Sequence, residues 1–217
     1  MTQEEQYAIL EKFSDYSVYV PALLCIYKVK ALNKSLWALF VYLLACLISD
    51  RVSLLFIENE RVLNIVSNSF TIFESSLICF IYFSDFSNKK IRLGIILTYL
   101  TLIILSFIVF VIQKKYDKVD TIISPIGSAI ITVLAGSYLI TFLLDPNILK
   151  LYKHYFYWVN FAFLLYFSVA ALLFLSNNFL NTCKPSTLYL VWGIHLILNV
   201  IKNLLFAVGI WMKKNIQ

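Results

Sequence analysis

Long apolar segments separated by short polar joints dominate the chain. Seven such segments can be outlined, and they run over Ser17–Ala31, Ser35–Ser49, Val62–Phe83, Ile91–Gln113, Thr121–Leu144, Tyr155–Ser176 and Leu188–Met212. The last five approach or exceed the roughly 20 residues that a helix needs to cross a bilayer. The pattern predicts an all-α membrane protein: a seven-transmembrane helix bundle that forms one domain over residues 1–217.

The first two segments are short for a membrane span. The first can cross the bilayer if Lys28 and Lys30 extend their ammonium groups to the lipid headgroups. Pro21 is expected to kink it. An alternative interpretation treats this segment as re-entrant, which would leave six spans. The acidic residues that precede it are unlike the basic start of a cleaved signal peptide.

Composition supports a membrane protein and excludes other classes. The 217 residues are 61% hydrophobic and only 14% charged, with a mean hydropathy of +0.82. A soluble domain of this length has no core that could take up so many apolar side chains. The net charge of +6 lies in loops, so it is expected to face anionic lipid rather than nucleic acid.

The lysines and arginines of the loops predict the orientation. The loops on one side are consistently richer in these residues than those on the other, and this side is expected to be cytoplasmic. The N-terminus then lies outside and the C-terminus inside. The bias toward Ile, Phe, Tyr, Leu, Asn and Lys is typical of AT-rich bacterial genomes, which suggests a bacterial cytoplasmic (inner) membrane.

Four cysteines give no disulfide framework. Cys25, Cys46 and Cys79 fall within the predicted spans, and Cys183 alone falls in a predicted external loop. Without an even number of cysteines facing an oxidising compartment, no disulfide is expected.

The third segment carries a carboxylate near its middle. Glu74 is flanked at helical spacing by polar residues, namely Asn64, Ser67, Asn68, Thr71 and Ser75. A lone charge in hydrocarbon costs several kcal/mol, so such a residue requires a partner, a proton or a function.

The seventh segment carries a matching polar stripe. His195, Asn199, Lys202 and Asn203 recur at spacings of three and four residues and so share one helix face. Counted from the outer ends of the two segments, Glu74 and Asn199 lie at nearly the same depth. An ion pair between Glu74 and Lys202 would neutralise both charges. The same residues could also only hold helices together, at about 1 kcal/mol for each hydrogen bond.

Three kinds of chemistry can be compared with these residues. A retinal-type photoreceptor would use Lys202 with Glu74 as counter-ion, but the aspartate expected four residues before the lysine is Leu198. An intramembrane lipid enzyme with a metal needs several histidines, and the chain has two, His154 and His195. A serine protease would need a different context around Gly127-Ser128. We therefore expect no catalytic residue, metal or cofactor.

Three stretches carry a resemblance across most of the chain. They are residues 64–74, residues 156–168, and residues 192–199 with Asn203. In their order and spacing they resemble a family of small, uncharacterised heptahelical bacterial integral membrane proteins. The resemblance implies a compact seven-helix bundle with its polar residues inside and a carboxylate after the second span, where Asp50 stands. It implies no activity, and Lys202 is not part of the pattern.

These features together suggest a receptor-like or sensory membrane protein without enzymatic activity. We expect a polar pocket inside the bundle that binds a small ligand, cation or proton. Its predicted lining is Thr71, Glu74, His195, Asn199 and Asn203, with Asp50, Asn64 and Asn68 at its rim. His195 would make binding depend on pH.

Without a soluble output domain, a signal would leave through a membrane or cytoplasmic partner protein. The alternative is an oligomeric pore or an accessory membrane effector, including one that acts in phage defence. A retinal-type photoreceptor or an intramembrane lipid enzyme is a further alternative.

Overall fold

A computed structural model describes residues 2–56, 59–109, 119–144, 153–180 and 182–213. In this part of the chain the regular elements are nine α-helices and a short 3₁₀ turn at Val29–Ala31. The helices are α1 (Gln3–Ser17), α2 (Tyr19–Tyr27), α3 (Lys34–Leu55), α4 (Glu60–Asp85), α5 (Lys89–Phe107), α6 (Val119–Leu143), α7 (Tyr155–Leu175), α8 (Asn177–Leu180) and α9 (Pro185–Met212).

Six of these helices are long and apolar enough to cross a membrane: α3, α4, α5, α6, α7 and α9. The prediction of an all-helical integral membrane protein is therefore confirmed. The second segment is longer than predicted, because α3 continues past Ser49 to Leu55 and has 22 residues. The part of the fourth predicted segment after Val109 lies outside the described residues.

The first predicted segment has a different form from a single span. The chain is already helical from Gln3, α1 ends at Ser17, and α2 begins at Tyr19. The break lies where Pro21, which has no N–H, cannot donate to the carbonyl four residues earlier. The two short helices are each below the length of a membrane span, so they are not among the six helices named above.

Asparagine side chains begin three of the long helices. The Oδ1 atoms of Asn33, Asn59 and Asn88 accept hydrogen bonds from backbone N–H groups in the first turns of α3, α4 and α5, at 3.1, 3.2 and 2.9 Å. These bonds satisfy donors that have no partner within the helix. These asparagines of the polar joints thus fix where α3, α4 and α5 start.

The helices close into a ring. Around this ring α2 contacts α3, α3 contacts α4, α4 contacts α6, α6 contacts α7, α7 contacts α9, and α9 returns to α1 and α2. Helix α5 packs against α4 and α6. The centre is filled by aromatic side chains that are fully buried, namely Tyr42, Tyr82, Phe156, Phe163 and Phe206. The Phe163 and Phe206 rings meet edge to face with centroids 5.1 Å apart.

Helices α7 and α9 approach most closely at Gly209. A Cβ atom built on this glycine would lie 2.9 Å from the Tyr155 carbonyl oxygen and 3.0 Å from a Val159 methyl group. Small residues at such crossings let helix backbones come together in membranes. Gly136 in α6, in contrast, has no atom within 4 Å of the same built position.

We predict opposite effects for alanine at these two glycines. Gly209→Ala is expected to destabilise the protein by about 1–3 kcal/mol, because α7 and α9 must separate. Gly136→Ala is expected to stabilise it by about 0.5–1 kcal/mol through helix propensity. Thermal unfolding of both variants in one detergent measures the difference. Equal melting temperatures for the two variants would contradict the described contact between α7 and α9.

Candidate functional site

A buried lysine and a carboxylate meet through a tyrosine in the bundle. The Lys202 ammonium donates to the Tyr42 hydroxyl at 3.1 Å, and that hydroxyl donates to Glu74 Oε1 at 3.1 Å. Lys202 is only 4% exposed. A hydroxyl can accept one hydrogen bond and donate another, so Tyr42 links the two charged groups. The predicted partners, Glu74 and Lys202, are thus brought together by a residue that the sequence pattern did not single out.

The Lys202 ammonium has a second contact with an aromatic ring. It lies 4.0 Å from the centroid of the Tyr166 ring, within the range of a cation–π interaction. The Tyr166 hydroxyl is in turn 3.2 Å from His195 Nε2. Helices α3 and α7 therefore enclose the ammonium group of α9 with one hydroxyl oxygen and one ring face.

His195 lies in an aromatic environment. Its ring packs near those of Tyr166, Phe174 and Trp192, with centroid distances of 5.1, 6.2 and 5.7 Å. Its Nδ1 atom is buried and has no hydrogen-bond partner among the described residues. The histidine therefore presents one engaged nitrogen toward Tyr166 and keeps the other enclosed.

The two asparagines of the stripe bind α1 to α9. Asn199 Nδ2 donates to the Ser14 hydroxyl at 2.9 Å, and Asn203 Nδ2 donates to the Ser17 hydroxyl at 2.7 Å. Both serines and Asn203 are buried. Hydrogen bonds between polar side chains hold helices together where water is absent, so these two bonds fix α1 alongside the site.

A cavity of about 230 Å³ lies between α1, α3, α4, α7 and α9. Its wall contains three carboxylates, on Asp15, Asp50 and Glu74, and one ammonium, on Lys202. Asp50 is exposed, so the cavity reaches the surface beside it. His195, Asn199 and Asn203 also line it. The structure therefore brings together four of the five predicted pocket residues and one predicted rim residue, Asp50.

The fifth predicted pocket residue lies elsewhere. Thr71 lines a neighbouring cavity of about 200 Å³ between α4, α6 and α7, and its hydroxyl donates to the Ser67 carbonyl at 3.1 Å. Glu74 lines both cavities. Of the other predicted rim residues, Asn68 is buried in α4, and the side chain of Asn64 lies outside the described residues.

A second buried polar cluster was not predicted. The Asp85 carboxylate at the end of α4 accepts hydrogen bonds from the hydroxyls of Ser35, Tyr138 and Tyr155, with those from Ser35 and Tyr155 at 3.3 Å. In the sequence, Asp85 closes the third apolar segment and resembles an ordinary loop charge. Its partners come from three different helices, so no spacing along the chain could reveal them.

Within the described ranges, no group of three or more histidine, cysteine, aspartate or glutamate residues is placed to hold a metal ion. The carboxylates of the first cavity line a shared space. They can attract a cationic group and accept hydrogen bonds from it.

No known family, curated protein or solved structure matches this chain in comparisons of sequence and structure.

The link through Tyr42 makes a quantitative prediction. Glu74→Gln and Lys202→Met are each expected to cost about 1–3 kcal/mol, and their combination should cost less than the sum. The coupling energy should be about 0.5–3 kcal/mol. In a Tyr42→Phe background it should fall, because the bridging hydroxyl is gone and only the direct attraction between the two charges remains. The coupling energy is obtained from the free energies of unfolding in detergent of the wild type, the two single variants and the double variant, each with and without Tyr42→Phe.

The control pair is Glu11→Gln with Lys12→Met, two exposed charged residues of α1, which should combine additively within about 0.5 kcal/mol. A coupling between Glu74 and Lys202 that survives Tyr42→Phe unchanged would contradict the bridged arrangement.

Proposed function

We propose that this protein is a seven-helix, receptor-like membrane protein that binds a small primary amine in the cavity between α1, α3, α4, α7 and α9. The observation that carries the proposal is the bridged Glu74–Tyr42–Lys202 chain at the wall of that cavity. No step of catalysis is assigned to these residues.

The charges of the cavity favour a cationic ligand. Three carboxylates face one ammonium across the same space, and Lys202 is already engaged by Tyr42 and Tyr166. The excess of carboxylates is partly enclosed by the helices, where it attracts a cation more strongly than it would in bulk water. Ammonium N–H groups can donate to the carboxylate oxygens of Glu74 and Asp50.

The size of the cavity favours a small ligand. Its volume of about 230 Å³ lies below the roughly 300–1,000 Å³ of sites for drug-sized molecules. A short alkyl amine suits this space better than an extended chromophore such as retinal. Glu74 faces the interior of a single bundle, which also favours a binding protein over an oligomeric pore.

A further membrane span formed by α1 and α2, which would bring the number of spans to seven, is part of the proposal. Helices α1 and α2 together follow α9 along its length, from the ring contact of Tyr7 with Tyr189 at 5.4 Å to the Lys28 ammonium, which donates to the carbonyls of Trp211 and Lys213 at 2.6 and 2.9 Å. Large apolar residues on the opposite side are exposed, and they recur every three or four positions at Ile9, Phe13, Tyr16, Val20, Leu23 and Tyr27.

At 1.5 Å per residue this exposed stripe extends for about 27 Å, close to the roughly 30 Å of hydrocarbon that a span must cross. A long apolar stripe of this kind suits contact with lipid tails. It supports a broken first span formed by α1 and α2.

The proposed setting is a bacterial cytoplasmic membrane, with the N-terminus outside and the C-terminus in the cytoplasm. The distribution of lysine and arginine among the loops supports this orientation. A signal would then pass from the ligand to a membrane or cytoplasmic partner through movements of the bundle. The resemblance to small heptahelical bacterial membrane proteins is part of the same proposal.

Cys183 offers a direct test of orientation. It lies between α8 and α9 and is partly exposed, whereas Cys25 and Cys79 are buried; Cys46, which lines the amine cavity, is replaced by serine in every protein of the test. We predict that a membrane-impermeant maleimide labels Cys183 in intact cells. Cys183→Ser should lose this label, and adding Ser87→Cys to that variant should restore labelling only after lysis. Labelling of Ser87→Cys in intact cells would reverse the proposed orientation.

Binding of butylamine tests the function. The purified protein is expected to bind butylamine and to discriminate against its neutral analogue butanol. Glu74→Gln should weaken butylamine binding roughly 10- to 100-fold, the equivalent of a charge-assisted hydrogen bond of about 1.5–3 kcal/mol. Isothermal titration calorimetry in lipid nanodiscs measures both ligands.

The matched control is Asp85→Asn, which removes a carboxylate from the separate cluster and should leave butylamine affinity unchanged. The proposal is wrong if butylamine does not bind, or if folded Glu74→Gln protein binds it as tightly as the wild type.

A further inference from the structure

The second polar cluster borders a larger cavity. About 520 Å³ of space lies between the ends of α4 and α6 and the starts of α5 and α7. The Asp85 carboxylate stands in its wall beside five aromatic rings, those of Phe86, Tyr138, Phe142, His154 and Tyr155. This cavity shares no lining residue with the amine cavity, so a ligand held there would be independent of the proposed function.

The rings form a continuous aromatic wall. Neighbouring centroids are 5.0 Å apart for Phe86 and Tyr138, 5.9 Å for Tyr138 and Phe142, 4.9 Å for Phe142 and His154, and 5.0 Å for His154 and Tyr155. Aromatic faces attract cations through their quadrupole. The Tyr155 ring already contacts a cation, because the Lys213 ammonium lies 4.3 Å from its centroid.

The hydrogen bonds of Asp85 restrict what kind of cation suits the cavity. An ionised carboxylate has about four lone-pair positions, and the hydroxyls of Ser35, Tyr138 and Tyr155 occupy three of them. The negative charge remains, but few acceptor positions are left. A primary ammonium could donate only one of its three N–H groups to Asp85 and would depend on Ser87, Asn88 and Thr141 of the lining for the others. A quaternary ammonium has no N–H group and needs only the charge and the ring faces.

The ring of His154 is uncharged at neutral pH and therefore does not act as a cation beside the Asp85 carboxylate. Burial lowers the pKa of His154 below its usual value of 6.5, and Lys213 lowers it further, while Asp85 acts in the opposite direction. With a lowered pKa the ring is neutral at pH 7. The Asp85 charge therefore faces a wall of uncharged rings.

From this geometry we propose that the cavity bounded by Asp85 and the aromatic wall binds a quaternary ammonium group of the choline type. Two sources share this chemistry: a free solute such as choline, and the headgroup of a phosphatidylcholine molecule. The cavity lies at the end of the bundle where α4 ends and α5 begins, so a lipid headgroup and a dissolved molecule could both reach it.

Choline titration tests the free-solute source. Glu74→Gln protein, in which the cavity proposed for primary amines has lost a carboxylate acceptor, is placed in nanodiscs of phosphatidylglycerol, and binding of choline and of ethanolamine is measured by calorimetry. Choline should bind roughly tenfold more tightly than ethanolamine. Phe142→Leu, which keeps an apolar side chain but removes a ring, should weaken choline binding several-fold. Asp85→Asn should weaken it more, and Glu74→Gln itself should leave it unchanged from the wild type.

Native mass spectrometry tests the lipid source. Nanodiscs that contain phosphatidylcholine and phosphatidylglycerol should yield protein with retained phosphatidylcholine, and Phe142→Leu should lose it. Retained lipid without choline binding assigns the site to a headgroup, and choline binding without retained lipid assigns it to a solute.

The absence of both choline binding and retained phosphatidylcholine would overturn the proposal. So would ethanolamine bound as tightly as choline, or choline affinity unchanged in Phe142→Leu. If Asp85→Asn fails to fold, Phe142→Leu still decides, because it leaves the Asp85 hydrogen bonds in place.

Discussion

A lysine ammonium inside a membrane bundle must find acceptors within the protein, since lipid offers none. Lys202 finds them in the Tyr42 hydroxyl and the face of Tyr166, and Tyr42 extends the link to Glu74. Because these four residues belong to α3, α4, α7 and α9, satisfying one charge sets the relative positions of four helices. The rest of the bundle is arranged around this requirement.

Two further sets of contacts support the same arrangement of the helices. The Tyr42 ring meets Phe163 and Phe206 edge to face, with both centroids 6.1 Å away, so the hydroxyl is held in place by the aromatic core beneath it. On the same face of α9 as Lys202, Asn199 and Asn203 fix α1 through the serines at positions 14 and 17. Polar contacts thus determine the register of the helices, and aromatic side chains fill the space between them.

The sequence predicted the helical membrane class and the stripe on α9, because both follow from periodicity along one segment. It could not predict Tyr42, which resembles any other aromatic residue in an apolar run until another helix brings Glu74 to its hydroxyl. Thr71 was grouped with the residues of the amine cavity because it lies three residues from Glu74; it lines the neighbouring cavity between α4, α6 and α7. Asp85 was missed because its partners come from three helices, and the spacing of residues within one helix does not reveal contacts between helices.

Glu74 has two proposed roles, as the bridged partner of Lys202 and as an acceptor for a ligand. The most direct test of the second role is the infrared difference spectrum of the purified protein on addition of butylamine. The Glu74 band is identified by its loss in Glu74→Gln. An ammonium that donates to this carboxylate changes its stretching frequency, so the Glu74 band is predicted to shift. A Glu74 band that stays fixed while butylamine is bound would contradict the second role.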